Sequence, residues 1–110
     1  MNWGLDFLPE ARKDIKELSG NQSRIVAKAI ERVRSNPLPR NEGGYGIPLG
    51  VKGSTNLTGF LEIKMRGAGL RVVYKLIRTE KEMLIVIVGI REDEDVYEQA
   101  QKRIKDHKLY

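Results

Sequence analysis

Hydrophobic and polar positions change period along the chain, and each change marks an element. Trp3, Leu5 and Phe7 alternate with Asn2, Gly4 and Asp6, and this period of two predicts a strand. Pro9 ends it and suits the first turn of a helix, with Glu10 favourable near the positive end. Ala11, Ile15 and Leu18 then recur at the spacing of one buried helical face. Ser19-Gly20-Asn21 breaks that pattern. A second helix is predicted from Gln22 to Ser35, with Val26, Ala29, Ile30 and Val33 as its apolar stripe, stopped by Asn36-Pro37. The short join predicts an antiparallel helical hairpin. Residues 37–59 hold three of the four prolines and six of the eleven glycines, the composition of a long connector.

Strand-like sequence follows. Over Phe60–Arg66, Leu61, Ile63 and Met65 point one way and Glu62, Lys64 and Arg66 the other. Gly67-Ala68-Gly69 is a turn, Leu70–Ile77 a second strand, and Arg78–Lys81 a polar hairpin turn. Met83–Ile90 is apolar on both faces and predicts a central strand covered on both sides. Asp93 can cap a last helix from about Glu94 to Lys105, with Val96, Tyr97, Ala100 and Ile104 inward. The order β-α-α-loop-β-β-β-α predicts an α+β fold: an N-terminal strand, a helical hairpin, then a three-stranded antiparallel run packed with the helices and a C-terminal helix.

The 110 residues suit one domain. The absence of cysteine removes disulfides, zinc fingers, iron–sulfur clusters and thiol catalysis, and a single histidine, His107, argues against a transition-metal site. The longest apolar run, Met83–Val88, falls far short of the ~18 residues of a membrane span. A chain without cysteine needs no oxidising compartment, which fits a cytoplasmic setting, and no secretory signal is visible in MNWGLDFLPEARK. The 20 Lys+Arg against 15 Asp+Glu, net +5, favour anionic partners without choosing among them.

That charge is concentrated. Residues 60–81 carry six Lys/Arg against two Glu, which reads either as the solvated face of an antiparallel sheet or as a phosphate-binding footprint. Arg91 follows the most apolar stretch, where a charge is unusual; it either pairs with Glu92-Asp93-Glu94-Asp95 or serves a site. Tyr97 lies on the apolar side of its helix, as core packing also requires. Gly67-Ala68-Gly69 is explained by turn geometry, and no P-loop or nucleophile elbow is present.

FLPEARKDIKEL, RIVAKAIERVRSNP, FLEIKMRGAGLRVVYKL and LIVIVGIREDEDVYEQAQKRI together resemble the RelE/ParE superfamily of bacterial toxins, nearest its RelE branch, from about Leu5 to Ile104. The resemblance implies one toxin domain over residues 1–110 with a microbial-ribonuclease type of fold. It implies a toxin of a type II toxin–antitoxin system that cuts mRNA in the ribosomal A site. The 2′-hydroxyl attacks the 3′-phosphate and leaves a 2′,3′-cyclic phosphate, with no metal or cofactor. It carries roles to Lys64 as a basic strand residue, Arg71 as a phosphate ligand, Arg91 at the scissile phosphate and leaving group, and Tyr97 as the residue that stacks on or orients the substrate. Glu62 stands where the best-known RelE-type member has a lysine proposed as general base, so here either a carboxylate takes the 2′-hydroxyl proton or the replacement marks loss of nuclease activity. Arg66, Lys28, Arg32 and Arg34 are candidates for ribosomal RNA contact, though a solvated face explains the helix residues equally well. The implied partners are a cognate antitoxin in a hetero-oligomer, the ribosome and mRNA, with no membrane. The alternatives are a ParE-like toxin that inhibits DNA gyrase without cutting RNA, and a basic binding module.

Overall fold

The apolar strand segments assemble into one five-stranded sheet, against which the three helices pack. The computed structural model describes residues 2–90 and 95–110. Its elements are β1 (Gly4–Phe7), α1 (Pro9–Lys16), α2 (Gly20–Val33), β2 (Ile47–Pro48), β3 (Val51–Lys52), β4 (Thr55–Asn56), β5 (Leu61–Met65), β6 (Leu70–Ile77), β7 (Glu82–Ile90) and α3 (Asp95–Asp106). The main sheet runs β1-β7-β6-β5-β2, and β3-β4 form a separate hairpin. β1 is parallel to β7, while β2-β5, β5-β6 and β6-β7 are antiparallel. The α+β class and the order of the major elements follow the hydrophobic pattern.

β6 and β7 form the middle of the core. Leu70, Val72, Val73, Tyr74, Met83, Ile85 and Val86 have no measurable exposure, and each such side chain contributes roughly 1.5–3 kcal/mol by leaving water. β7 carries one extra residue, Val86, opposite the Val73/Tyr74 step of β6. The two N-terminal helices meet the sheet at separate places, α1 against β7 and α2 against β5. α1 is only eight residues long and would be marginal alone. Pro9 in its first turn and fully buried Ala11 hold it on β7.

Three boundaries differ from the sequence pattern. α2 begins at Gly20 because Ser19 caps it: the Ser19 hydroxyl accepts from Gln22 N at 3.1 Å, and the Gln22 side chain accepts from Ser19 N at 3.1 Å. The predicted connector at 37–59 contains the edge strand β2 and the β3-β4 hairpin, built from runs too short to show a period. β5 ends at Met65, so Arg66 belongs to a 3₁₀ turn that Gly69 closes in the left-handed region at φ 66°. The predicted cap Asp93 lies outside the described residues.

β1 pairs only as far as Phe7 with Ile85, which leaves the rest of that β7 edge without a strand. Side chains close it. Val88 N donates to Asp14 Oδ2 at 3.0 Å, and Arg103 Nη1 donates to Val86 O at 3.0 Å. Asp14 and Arg103 also pair through two hydrogen bonds, at 2.7 and 3.0 Å. This fork ties α1, β7 and α3 together and fixes where the last helix lies.

Candidate active site

Strand alternation and register bring the polar cluster together. Residues directly opposite on paired strands share a face. Lys64 on β5 stands opposite Arg71 on β6, which stands opposite Gly89 on β7. Glu62 is two residues before Lys64 and therefore on that same face. Ile63 and Met65 point the other way, toward the side where α2 packs. α3 crosses the Glu62 face. A Cβ on Gly89 would lie 2.6 Å from Val96 Cγ2, so the missing side chain of Gly89 is what lets the first turn of α3 approach so closely. That approach puts Tyr97 over the strands.

Glu62 is 2% exposed and Arg71 8%. A buried carboxylate is costly unless it is paired and hydrogen-bonded. Tyr97 donates to Glu62 Oε2 at 2.9 Å. Lys64 Nζ lies 3.5 Å from Glu62 Oε1, and Arg71 Nε lies 3.7 Å from Glu62 Oε2. Arg71 Nη1 in turn donates to the Tyr97 oxygen, and its guanidinium carbon sits 4.7 Å from the Tyr97 ring centroid. A donor chain therefore runs from Arg71 through Tyr97 to Glu62. Arg71 Nε is buried without a hydrogen-bond partner among the described residues, so its pairing with Glu62 is by charge at 3.7 Å. Lys64 is 29% exposed on its side chain and forms the solvent edge of the cluster.

The arrangement combines one proton-accepting carboxylate with two cations and an aromatic hydroxyl. Those are the groups an attack by a hydroxyl on a phosphodiester uses: a base for the hydroxyl proton, and fixed positive charge for the oxygens of the transition state. Among the described residues no cluster of three or more His, Cys, Asp or Glu is spaced to hold a metal ion. No helix among them is long and apolar enough to cross a membrane.

Of the residues singled out in the sequence, the structure brings Glu62, Lys64, Arg71 and Tyr97 together. Arg91 lies outside the described residues. Arg66 is exposed at the far end of β5 and lines a hollow with Ser19 and Gln22 at the start of α2. Lys28 is exposed on α2. Arg34 donates to Trp3 O at 3.0 Å and pairs with Glu31 at 2.8 Å, so it binds the end of α2 to the N-terminal strand. Arg32 stacks on Tyr45, 5.2 Å from its centroid, and both line a hollow that also reaches Lys64. Tyr45 and Lys52 are additions that the sequence reading missed. Both sit in the connector, where no periodicity marks a face, and an aromatic or lysine among turn residues was the only available sign.

No family model matches the chain. The mRNA interferase toxin RelE of Escherichia coli is 30% identical over 104 residues, covering 94% of this chain and 99% of that protein. The mRNA interferase RelE of Shigella flexneri matches to the same extent. A free-state structure of an arginine mutant of the E. coli toxin RelE superposes with a TM-score of 0.71 at 27% identity, covering 94% of this chain and 99% of that one. The same toxin mutant in complex with an antitoxin RelB peptide gives a TM-score of 0.65 at 25% identity, covering 91% and 95%. Likeness of this extent in sequence and in fold, carried end to end through both chains, means that this chain belongs to the RelE family of mRNA interferase toxins.

Proposed function

We propose that this chain, acting as one toxin domain over residues 1–110, cleaves mRNA in the ribosomal A site, and that Glu62, Lys64, Arg71, Arg91 and Tyr97 carry the reaction. The observation that supports this most is the single cluster that Glu62, Lys64, Arg71 and Tyr97 form from three separate elements, joined by hydrogen bonds through Tyr97 and by ion pairs to Glu62. Glu62 takes the proton of the attacking 2′-hydroxyl. Arg71 and Lys64 offset the negative charge that builds on the non-bridging oxygens. Tyr97 orients the substrate and moves off Glu62 as the 2′-hydroxyl replaces its hydrogen bond. Arg91 is assigned the leaving-group side by sequence alone. The 2′-oxygen bonds to phosphorus as the P–O5′ bond breaks, giving a 2′,3′-cyclic phosphate, and the departing 5′-oxygen takes a proton from solvent to become a free 5′-hydroxyl.

Arg66, Lys28 and Arg32 are the basic surface proposed for ribosomal RNA. Arg34 joins them only through whatever its guanidinium can reach beyond Trp3 and Glu31. A cognate antitoxin, in a cytoplasmic hetero-oligomer, is the proposed inhibitor. The relatives carry the interferase name, which favours this reading over gyrase inhibition.

The test adds purified protein to programmed ribosomes with an occupied P site and an empty A site and maps the message ends. A-site cuts with cyclic-phosphate ends are expected. Arg71→Ala, with its far-UV spectrum unchanged, should cut at least ~100-fold more slowly, the effect of losing a strong transition-state donor. Intact message under saturating, folded wild-type protein overturns the proposal.

A further inference from the structure

The cluster around Glu62 has a neighbour built by the β3-β4 hairpin. The root of the hairpin is held firmly. Thr55 and Leu57 are buried, Asn56 N donates to the Gln101 side chain of α3 at 2.7 Å, and Thr55 Oγ1 donates to Lys52 O at 2.9 Å. Its tip, by contrast, stands in solvent. Val51 is 73% exposed, Lys52 and Ser54 are exposed, and Gly53 makes the turn at φ 58°. Between tip and helix lies a hollow of about 340 Å³, lined by Lys52, Gly53, Ser54, Thr55, Tyr97 and Glu98. That volume falls at the lower end of small-ligand sites, roughly 300–1,000 Å³. Lys52 Nζ lies 5.7 Å from the centroid of the Tyr97 ring, the same ring that Arg71 approaches at 4.7 Å.

We infer that this hairpin is a second wall of the message-binding site. Its hollow holds the nucleotide adjacent to the one being cut, with Lys52 on that nucleotide's phosphate and the Tyr97 ring against its base. The inference rests on the reading of the Glu62 cluster as the place of cleavage.

Charge supports it. Glu62 cancels one of the two charges of Lys64 and Arg71, so the three residues together carry only +1. A single-stranded message brings one negative charge per phosphate, and neutralising the next phosphate takes a further cation. Lys52 has no carboxylate within ion-pair distance among the described residues, so its charge is not already spent within them. Aromatic stacking beside a cation is also the ordinary way a protein holds an unpaired base without reading its sequence. Glu98, at the rim, can accept from a base amino group but would repel a phosphate, which assigns the base to its side of the hollow and the phosphate to Lys52.

The experiment measures binding of labelled toxin to two sets of programmed ribosomes. In one the message stops after the P-site codon. In the other it continues with an A-site codon 2′-O-methylated throughout, which cannot be cut. The gain in affinity between the two isolates contacts to the message from contacts to ribosomal RNA. Lys52→Ala should reduce that gain about fivefold, ~1 kcal/mol, and leave binding to the truncated complex unchanged; Lys52→Arg should keep the gain. Lys52 is exposed, and equal melting temperatures will establish that the variants fold. Equal weakening on both complexes overturns the inference, because Lys52 then meets the ribosome and not the message. A full wild-type gain in Lys52→Ala, with the gain lost in Arg71→Ala, overturns the hairpin's role and leaves the cluster reading standing. No gain for the wild-type protein overturns both.

Discussion

Gly89→Ala should slow cleavage strongly while leaving the protein folded, and a second substitution should reverse it. The added methyl would lie 2.6 Å from Val96 Cγ2. Carbon atoms in favourable contact sit about 3.5–4.0 Å apart, so β7 and the start of α3 must separate by about 1 Å. Val96 is buried at 3% exposure and cannot simply rotate away. Tyr97 is the next residue, and its 2.9 Å bond to Glu62 stretches beyond hydrogen-bond range under such a shift. Overpacking of this kind costs about 1–3 kcal/mol of stability, which a folded domain of this size survives. Displacing a substrate-positioning group by 1 Å costs on the order of 100-fold in rate. The assay is single-turnover cleavage on programmed ribosomes, alongside thermal unfolding. Val96→Ala in the Gly89→Ala background removes the opposing methyl and should recover most of the rate. Wild-type cleavage by Gly89→Ala, or a slow double variant that has regained its stability, would refute the claim that glycine at this position sets the height of Tyr97 over the site.

Two further predictions concern the way α3 is held. Arg103→Met leaves Asp14 without its guanidinium while both side chains are only about 15% exposed; unfolding in urea should show a loss of about 3 kcal/mol. Asp14→Asn, which keeps an acceptor for Val88 N, should lose less, and equal losses would show that the edge of β7 is not closed by this carboxylate. At the other end of the helix, His107 Nε2 lies 2.9 Å from Glu10 Oε2 and holds the Glu10 carboxyl below its ordinary value of 4.5. A carboxylate lowered in this way stabilises the fold above its unfolded pKa, and that contribution is lost as pH falls through the folded value. The melting-temperature gap between the wild-type protein and Glu10→Gln should therefore be present at pH 5 and close below about pH 4.5. A gap that does not narrow as pH falls below about 4.5 would show that the pair does not couple to folding.

Much of this protein is written in short-range pattern. Alternation in β5 put Glu62 and Lys64 on one face, and the unbroken apolar run of β7 announced a strand covered on both sides. Helical spacing gave α3 its buried stripe of Val96, Ala100 and Ile104. These are consequences of periods of 2 and 3.6, which depend only on neighbours in sequence. The motif around GLRVVYKL and GIREDEDVY pointed to the family for the same reason, since it is local. Tertiary structure decided what no local period contains. The register that sets Lys64 opposite Arg71 and Arg71 opposite Gly89 depends on turn geometry. Helical spacing alone places Tyr97 among the inward residues of its helix, and only the family resemblance gave it a role at the site. It becomes part of the site only because Gly89, eight positions earlier, has no side chain to hold Val96 away. Strand alternation left open whether the face of Glu62 meets solvent or a ligand; Glu62 is 2% exposed because α3 lies across that face. Lys52 and Tyr45 gained their neighbours by the folding of a segment whose prolines and glycines show where the chain turns but not what it will meet. Composition and spacing determine which residues share a face; long-range packing determines what covers that face, and here the covering element completes the chemistry.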